Sequence, residues 1–322
     1  MLLPALNRLL VMLLPVCCLQ AQAAERLTFT TNWYAQAEHG GFYQAQATGL
    51  YAQYGLDVDI RMGGPQVNGL QLLAAGKTDF LMGVPMSTVH AVAEGIPVVA
   101  VAATFQKDPA VVIAHPDIHS LQEVADKQLD FYMSASANTS YFPWLKARYG
   151  FTDDMARPYN FSVAPFLTNP HSAQQGLVTS EPFAIQQAGV TPAVFLMADY
   201  GYPPYAETIE TSRRMLAEKA DVVRRFVEAS MKGWISYLND PQAGNALIKK
   251  DNPEMTDEQL AFGVQTLRTY GLVSGGDAAE QGPGIMTAQR WQELYDFMQA
   301  AGLLAKDVDI RQVYSLEFSG HR

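Results

Sequence analysis

The stretch "RLTFTTNW", residues 26–33, alternates apolar and polar positions at the period of two expected for a half-buried strand. "GGFYQAQATGLYAQYG" follows at helical spacing, with Gly55 at the expected end of the helix. "LDVDIRM" returns to a strand. "QVNGLQLLAAG" predicts a helix ending at Gly76, "TDFLMGV" a strand, "MSTVHAVAEG" a helix ending at Gly95 and "PVVAVAATF" an apolar strand. The order β-α-β-α-β-α-β predicts a mostly parallel sheet covered by helices. From Pro109 the segments "AVVIAHP", "SLQEVADK", "QLDFYM", "YFPWLKARYG", "ARPYNFSV", "SEPFAIQQAG" and "AVFLMADYG" repeat the alternation with no Ser- or Gly-rich linker between. After Tyr205 the pattern reads as helical throughout, with Thr256 and Thr287 as N-caps. Two α/β units followed by helices predict two facing lobes, with the last helices packing on the first: lobe 1 from 24–108 and 205–322, lobe 2 from 109–204.

The first residues change where this chain is expected to work. "MLLPALNRLLVMLLPVCCLQAQAAE" has an early cation at Arg8, an apolar run and then Ala21-Gln22-Ala23, the small-x-small pattern of a cleavage site. Residues 1–23 therefore read as a signal peptide. The apolar run is short of the roughly 20 residues that span a bilayer. A lipoprotein site at Cys17 or Cys18 is the weaker alternative, because Val16 and Cys17 are poor small neighbours. Both cysteines fall in the removable segment, so the mature chain is expected to have no disulfide, thiolate metal site or Cys nucleophile. Removing Arg8 leaves 21 basic against 32 acidic residues, a net charge of −11, which argues against nucleic acid or an anionic membrane as partner.

Candidate chemistry gathers where strands end, the place where open α/β sheets bind ligands. Trp33 and Tyr34 follow the first strand, and Trp33 is read as the ring that stacks on a flat ligand. His39 would hydrogen-bond the ligand's edge. Gly40 and Gly41 would offer bare helix-start backbone, or would simply turn the chain. Ser87 stands after the third strand, and Ser136, Asn138 and Thr139 form a polar loop after a strand of the second unit; each is a cap or a ligand contact. Glu181 in "TSEPF" is either a first-turn helix acid or an acceptor for a nitrogenous ligand. No G-x-S-x-G, P-loop, G-x-G-x-x-G or H-E-x-x-H occurs, and the six histidines show no metal-ligand spacing. No catalytic residue, metal or cofactor is expected.

These residues resemble the periplasmic binding proteins of ABC importers, in the family that joins thiamine-pyrimidine-precursor binders to fungal pyrimidine synthases. Taurine, alkanesulfonate and nitrate binders are more distant relatives. The resemblance is carried by Trp33 through His39, "GFYQAQATGLYAQYGLDVDI", "LLAAGKTDFLMG", "EGIPVVAVAA" and "SEPF". It implies an α/β fold of two lobes, the type II periplasmic-binding-protein arrangement, with the ligand cleft between them. It further implies a monomer that delivers a small molecule to a permease and its ATPase without chemistry, with Trp33, Tyr34, His39 and Glu181 at the heterocycle. The synthase branch depends on a cysteine-rich motif, and no cysteine remains in the mature chain. A sulfonate or aromatic carboxylate, held by hydroxyls and amides, is the alternative ligand.

Overall fold

The computed structural model describes residues 24–64, 66–160 and 162–319; the segment read as a signal peptide lies outside them. The strands are β1 (Glu25–Thr30), β2 (Leu56–Arg61), β3 (Phe80–Gly83), β4 (Val98–Phe105), β5 (Ala110–Ala114), β6 (Asp130–Met133), β7 (Ala156–Pro158), β8 (Ser172–Leu177), β9 (Ala193–Leu196) and β10 (Ala206–Ser212). They form two five-stranded sheets, ordered β2-β1-β3-β10-β4 and β7-β6-β8-β5-β9. Mixed α/β construction in two lobes follows, one on each sheet.

In the first sheet β1 runs parallel to β2 and β3, while β10 lies antiparallel between β3 and β4. The all-helical reading after Tyr205 is therefore corrected by β10. Its sequence "AETIETS" hid the strand because Thr208, Glu210 and Thr211 are buried polar residues, which hydrophobic patterning scores as exposed. The second sheet has a strand, β8, that the pattern also missed, and β5 is antiparallel to both β8 and β9. "SAQQGL" carries two glutamines where a core strand usually has aliphatics.

Each face of the first sheet has its own cover. Leu27, Phe29, Phe80 and Met82 point to one side and join Phe42, Phe226 and Trp234 in the main core. These last come from helices Gly40–Ala47 and Ala220–Asn239. On the other side Ala100 and Ala103 pack with Met86, Val89, Trp291 and Met298 of helices Pro85–Ala93 and Ala288–Ala300. Alternation divides the two faces along β1 and β3, and in β4 the register shift between Ala100 and Ala102, opposite Glu210 and Ile209, brings Ala100 and Ala103 to the same face. Thr256 and Thr287 accept from Gln259 and Arg290 backbone N–H groups, as N-caps do. The predicted long helix after Gly40 breaks at Gly49, whose φ of 73° starts a new turn, Leu50–Gln53.

Candidate functional site

The chain leaves β1 through a turn held by Thr31, whose hydroxyl donates to the Trp33 carbonyl at 2.7 Å and accepts from the Gly63 N–H at 3.0 Å. This turn presents Asn32, Trp33 and Tyr34. The two rings meet edge to face with centroids 5.5 Å apart, and Tyr34 is 46% exposed, so an aromatic surface stands at the sheet edge.

His39 serves this turn from inside. It is fully buried, its Nδ1 accepts from the Gln36 N–H at 3.2 Å, and its Nε2 lies 3.0 Å from the Asn32 side-chain oxygen. The first bond fixes the tautomer, so Nε2–H donates to Asn32. Burial pulls the imidazole down to about 3, and it stays neutral. Asn32 in turn donates to Glu207 at 2.6 Å. The expectation that His39 touches the ligand edge is thus replaced by a relay: both ring nitrogens are used within the protein, and His39 orients Asn32.

Gly40 and Gly41 likewise have an internal use. A Cβ at Gly40 would fall 2.0 Å from the Tyr237 ring, and one at Gly41 2.2 Å from the Trp234 ring. Both glycines are buried, so the missing side chains let helix Ala220–Asn239 close in rather than a ligand. Sequence spacing shows that glycine is there; only the partner helix shows why.

Glu207 had no signal in the sequence. It sits near the start of β10 with φ 53°, a left-handed backbone that a non-glycine residue holds at a cost of about 1–3 kcal/mol. Burial raises its carboxyl well above the ordinary range, and the charges of Glu38 and Asp108 raise it further. Glu38 is itself raised, first by burial and in smaller part by Glu181. Asp108, in the crossing between β4 and β5, is pushed up to about 6 by burial, against the Ala110 N–H and Arg290, which lower it. Four carboxylates, Glu38, Asp108, Glu181 and Glu207, therefore feel one another or the same neighbours where the two lobes meet. Among the described residues, no group of three or more His, Cys, Asp or Glu is arranged to hold a metal ion.

The second lobe closes this region with phenols. Tyr159 donates to Glu181 at 2.9 Å while the Leu177 N–H donates to its other oxygen at 2.7 Å, and burial raises Glu181. The Tyr141 hydroxyl donates to Gln175 at 2.6 Å, and its own titration is raised by burial and then by Asp108 and Glu181. The Ser134 N–H shares the Gln175 acceptor. Ser136, Asn138 and Thr139 lie nearby on an exposed loop. There Asn138 donates to the Ala135 carbonyl and Thr139 to that of Ser136, so these groups support the turn locally. Ser87 stands exposed in the first turn of helix Pro85–Ala93, beside a cavity of the first lobe.

Besides the Lys107–Asp199 pair at 2.6 Å and the Tyr202 hydroxyl on Met86 Sδ at 3.5 Å, which also join the lobes, Thr179 of the second lobe donates to Glu38 of the first, and both are buried. This bond helps to hold the lobes together, and a hydrogen bond of this kind contributes about 1 kcal/mol. Thr179→Val is expected to shift the apo protein toward an open form, seen as a larger radius of gyration in small-angle scattering. An unchanged radius would show that the bond does not act as a latch.

A family model described as NMT1/THI5 like matches residues 36–244. The chain belongs to the NMT1/THI5-like family. The family read from the sequence therefore holds; the match takes in "SEPF" and strands of both sheets, and begins at Gln36, after β1, Trp33 and Tyr34. Among curated relatives, the riboflavin-binding protein RibY of Chloroflexus aurantiacus is 25% identical over 91% of this chain and 86% of its own length. The formylaminopyrimidine-binding protein of Halalkalibacterium halodurans is 22% identical over 91% of each. Among solved structures, the periplasmic aliphatic sulphonate binding protein SsuA of Escherichia coli superposes with a TM-score of 0.66 at 14% identity, over 92% of this chain and 94% of its own. The desulfurization enzyme DSZB superposes at 0.62, also at 14% identity, covering 91% and 97%. These structural likenesses establish the two-lobed periplasmic-binding-protein fold alone, and that fold serves both binders and an enzyme.

Proposed function

We propose that this NMT1/THI5-like protein is the solute-binding component of an ABC importer that captures a small nitrogen heterocycle, with a thiamine pyrimidine precursor favoured. The observation that carries the reading is the set of carboxylates at the lobe junction, Glu38, Asp108, Glu181 and Glu207, whose ionisation burial disfavours. A ligand with N–H donors or a positive charge relieves that unfavourable state; a sulfonate adds another negative charge to it. Trp33 and Tyr34 supply the stacking surface, Glu181 accepts from an exocyclic amine, and His39 holds Asn32 and Glu207 in place. Ser136, Asn138 and Thr139 contribute polar contacts from the facing lobe.

The names of the curated relatives support a heterocyclic ligand, since riboflavin and formylaminopyrimidine are both nitrogen heterocycles. The protein is read as a binder that leaves its ligand unchanged, and the engagement of both nitrogens of the buried His39 within the protein supports this. We place the lobe boundaries at 108/109 and 204/205, between the strands of the two sheets. The protein is taken to act in the periplasm after removal of residues 1–23, as a monomer that meets a permease with its ATPase. No described helix is long and apolar enough to cross a membrane. Lobe closure follows from a ligand that contacts both lobes only when they are shut.

Calorimetric titration of residues 24–322 with formylaminopyrimidine, riboflavin and an alkanesulfonate tests this reading. Saturable heat is expected with a heterocycle and not with the sulfonate, and Glu181→Gln is expected to weaken the heterocycle by about tenfold, or 1.4 kcal/mol. Binding of the sulfonate alone, strengthened by Glu181→Gln, would overturn it.

A further inference from the structure

Two stretches of chain cross between the lobes, residues 106–109 from β4 to β5 and residues 197–205 from β9 to β10. One guanidinium holds both. Arg290 Nη2 donates to the Gln106 carbonyl of the first crossing and, at 3.1 Å, to the Pro204 carbonyl of the second, while Nε donates to the Pro203 carbonyl at 3.0 Å. The planar fork of arginine meets several acceptors at fixed angles, which a lysine ammonium on its flexible stem does not.

Its own helix does not account for Arg290. The residue lies in the first turn of Ala288–Ala300, after the N-cap Thr287, where a cation opposes the helix dipole. Its side chain is only 17% exposed, and burial pulls its titration down. Neighbouring groups hold it there against both costs. The guanidinium carbon sits 4.0 Å from the centre of the Tyr205 ring. The Tyr205 hydroxyl is fixed in turn, donating to Asp277 at 2.5 Å and accepting from the Thr287 N–H at 3.0 Å. Asp277 itself lies 3.9 Å from Arg290 Nη1. The first crossing is also bound to the first lobe on its other side: the Gln106 N–H donates to the Leu272 carbonyl at 2.6 Å, and the Gln106 side chain to that of Ile285 at 2.9 Å.

Beyond this clasp the crossings are freer. Pro109, Pro203 and Pro204 each have a fixed φ, which leaves Lys107 and Asp108 to turn in one crossing and Gly201, with φ 93°, in the other. The tie between these stretches is weaker, because the Lys107 and Asp199 side chains are 28% and 43% exposed and solvent screens the pair.

We infer that Arg290 is the post on which the two lobes turn: a positioning residue outside the ligand site that fastens both crossings to the first lobe, confines rotation to residues 107–108 and 201–202, and so limits how far the cleft opens. This role rests on the two-lobed fold and is independent of which ligand the cleft holds.

The distribution of distances between the lobes tests it, read by pulsed electron–electron double resonance on spin labels at Gln53→Cys and Gln187→Cys. Both positions are exposed, one in each lobe, and residues 24–322 contain no cysteine of their own. Without added ligand, Arg290→Lys and Arg290→Met are each expected to widen the distribution about twofold. Asp277→Asn, which keeps an acceptor for Tyr205 and removes the charge, is expected to leave the width as in the unmodified chain. Should Arg290→Met fail to fold, Arg290→Lys decides in its place, because it keeps a cation over the Tyr205 ring. An unchanged width in Arg290→Lys, even with a lower melting temperature, would overturn the role and leave Arg290 a stabiliser of the first lobe. Widening in Asp277→Asn as large as in Arg290→Lys would also overturn it, by assigning the effect to charge rather than to the fork.

Discussion

Gly41→Ala is expected to destabilise the protein by about 2–3 kcal/mol, the middle to upper part of the range for forced overpacking of a core. Helix propensity predicts the opposite sign, since alanine inside a helix is favoured over glycine by about 1 kcal/mol. Packing wins here because the added methyl has no room to move into. Its Cβ would sit 2.2 Å from Trp234 Cδ2 and Cγ, and Trp234 is fully buried. The indole is itself wedged, edge to face, against Phe42, Phe105 and Tyr237 at centroid distances of 6.0, 5.6 and 5.9 Å. The approach is reciprocal, because a Cβ at Gly233 on the opposing helix would meet the Gly41 carbonyl oxygen at 2.2 Å. At roughly 2–4 °C per kcal/mol, the melting temperature is expected to fall by about 4–12 °C in differential scanning calorimetry. A melting temperature equal to or above that of the unmodified chain would show that the two helices have slack at this crossing.

The second large effect is a pH dependence carried by Glu210. Burial raises its carboxyl from an ordinary 4.5 to about 7. Between those values the folded protein binds the proton that the unfolded chain has released, so stability falls as pH rises through this window. At 1.36 kcal/mol per unit, the loss above pH 7 relative to acid is about 3 kcal/mol. Asp108, raised to about 6, slopes the same way. His39 slopes the other way: held near 3 when folded against 6.5 ordinarily, it is neutral in the folded state where the unfolded chain takes up a proton, so its contribution to stability is lost as pH falls below 6.5. The raw curve therefore mixes opposing terms, and a difference isolates the one of interest. Urea unfolding of Glu210→Gln and of the unmodified chain is expected to show the variant gaining about 3 kcal/mol relative to the parent between pH 4.5 and pH 7.5. A pH-independent difference between the two would mean that Glu210 is charged in the folded state at every pH tested.

Legibility in the sequence followed the kind of force involved. Strands such as β1 and β4 and the helices beginning at Thr256 and Thr287 were readable because alternation, helical spacing and N-caps are local. β10 and β8 were not, because their buried positions hold Thr, Glu and Gln, and a polar residue becomes a core residue only when a distant partner supplies its hydrogen bond. Thr88 on another element does so for Glu210. The site divides in the same way. Trp33, Tyr34 and Glu181 stand out in one dimension as rings and a carboxylate beside strand ends, whereas Glu38, Asp108 and Glu207 come from three separate segments and gain meaning only from the carboxylates brought near them.

The sequence by itself determined the alternation of strands and helices, the two α/β units and the family, all written in local periodicity and in short runs such as "TNWYAQAEH". Tertiary structure alone decided what His39, Gly40 and Gly41 do. A histidine's role depends on which groups face its two nitrogens, and a glycine's on what fills the space where its side chain would be. Both are set by Asn32, Tyr237 and Trp234, which reach these positions only once the chain has folded.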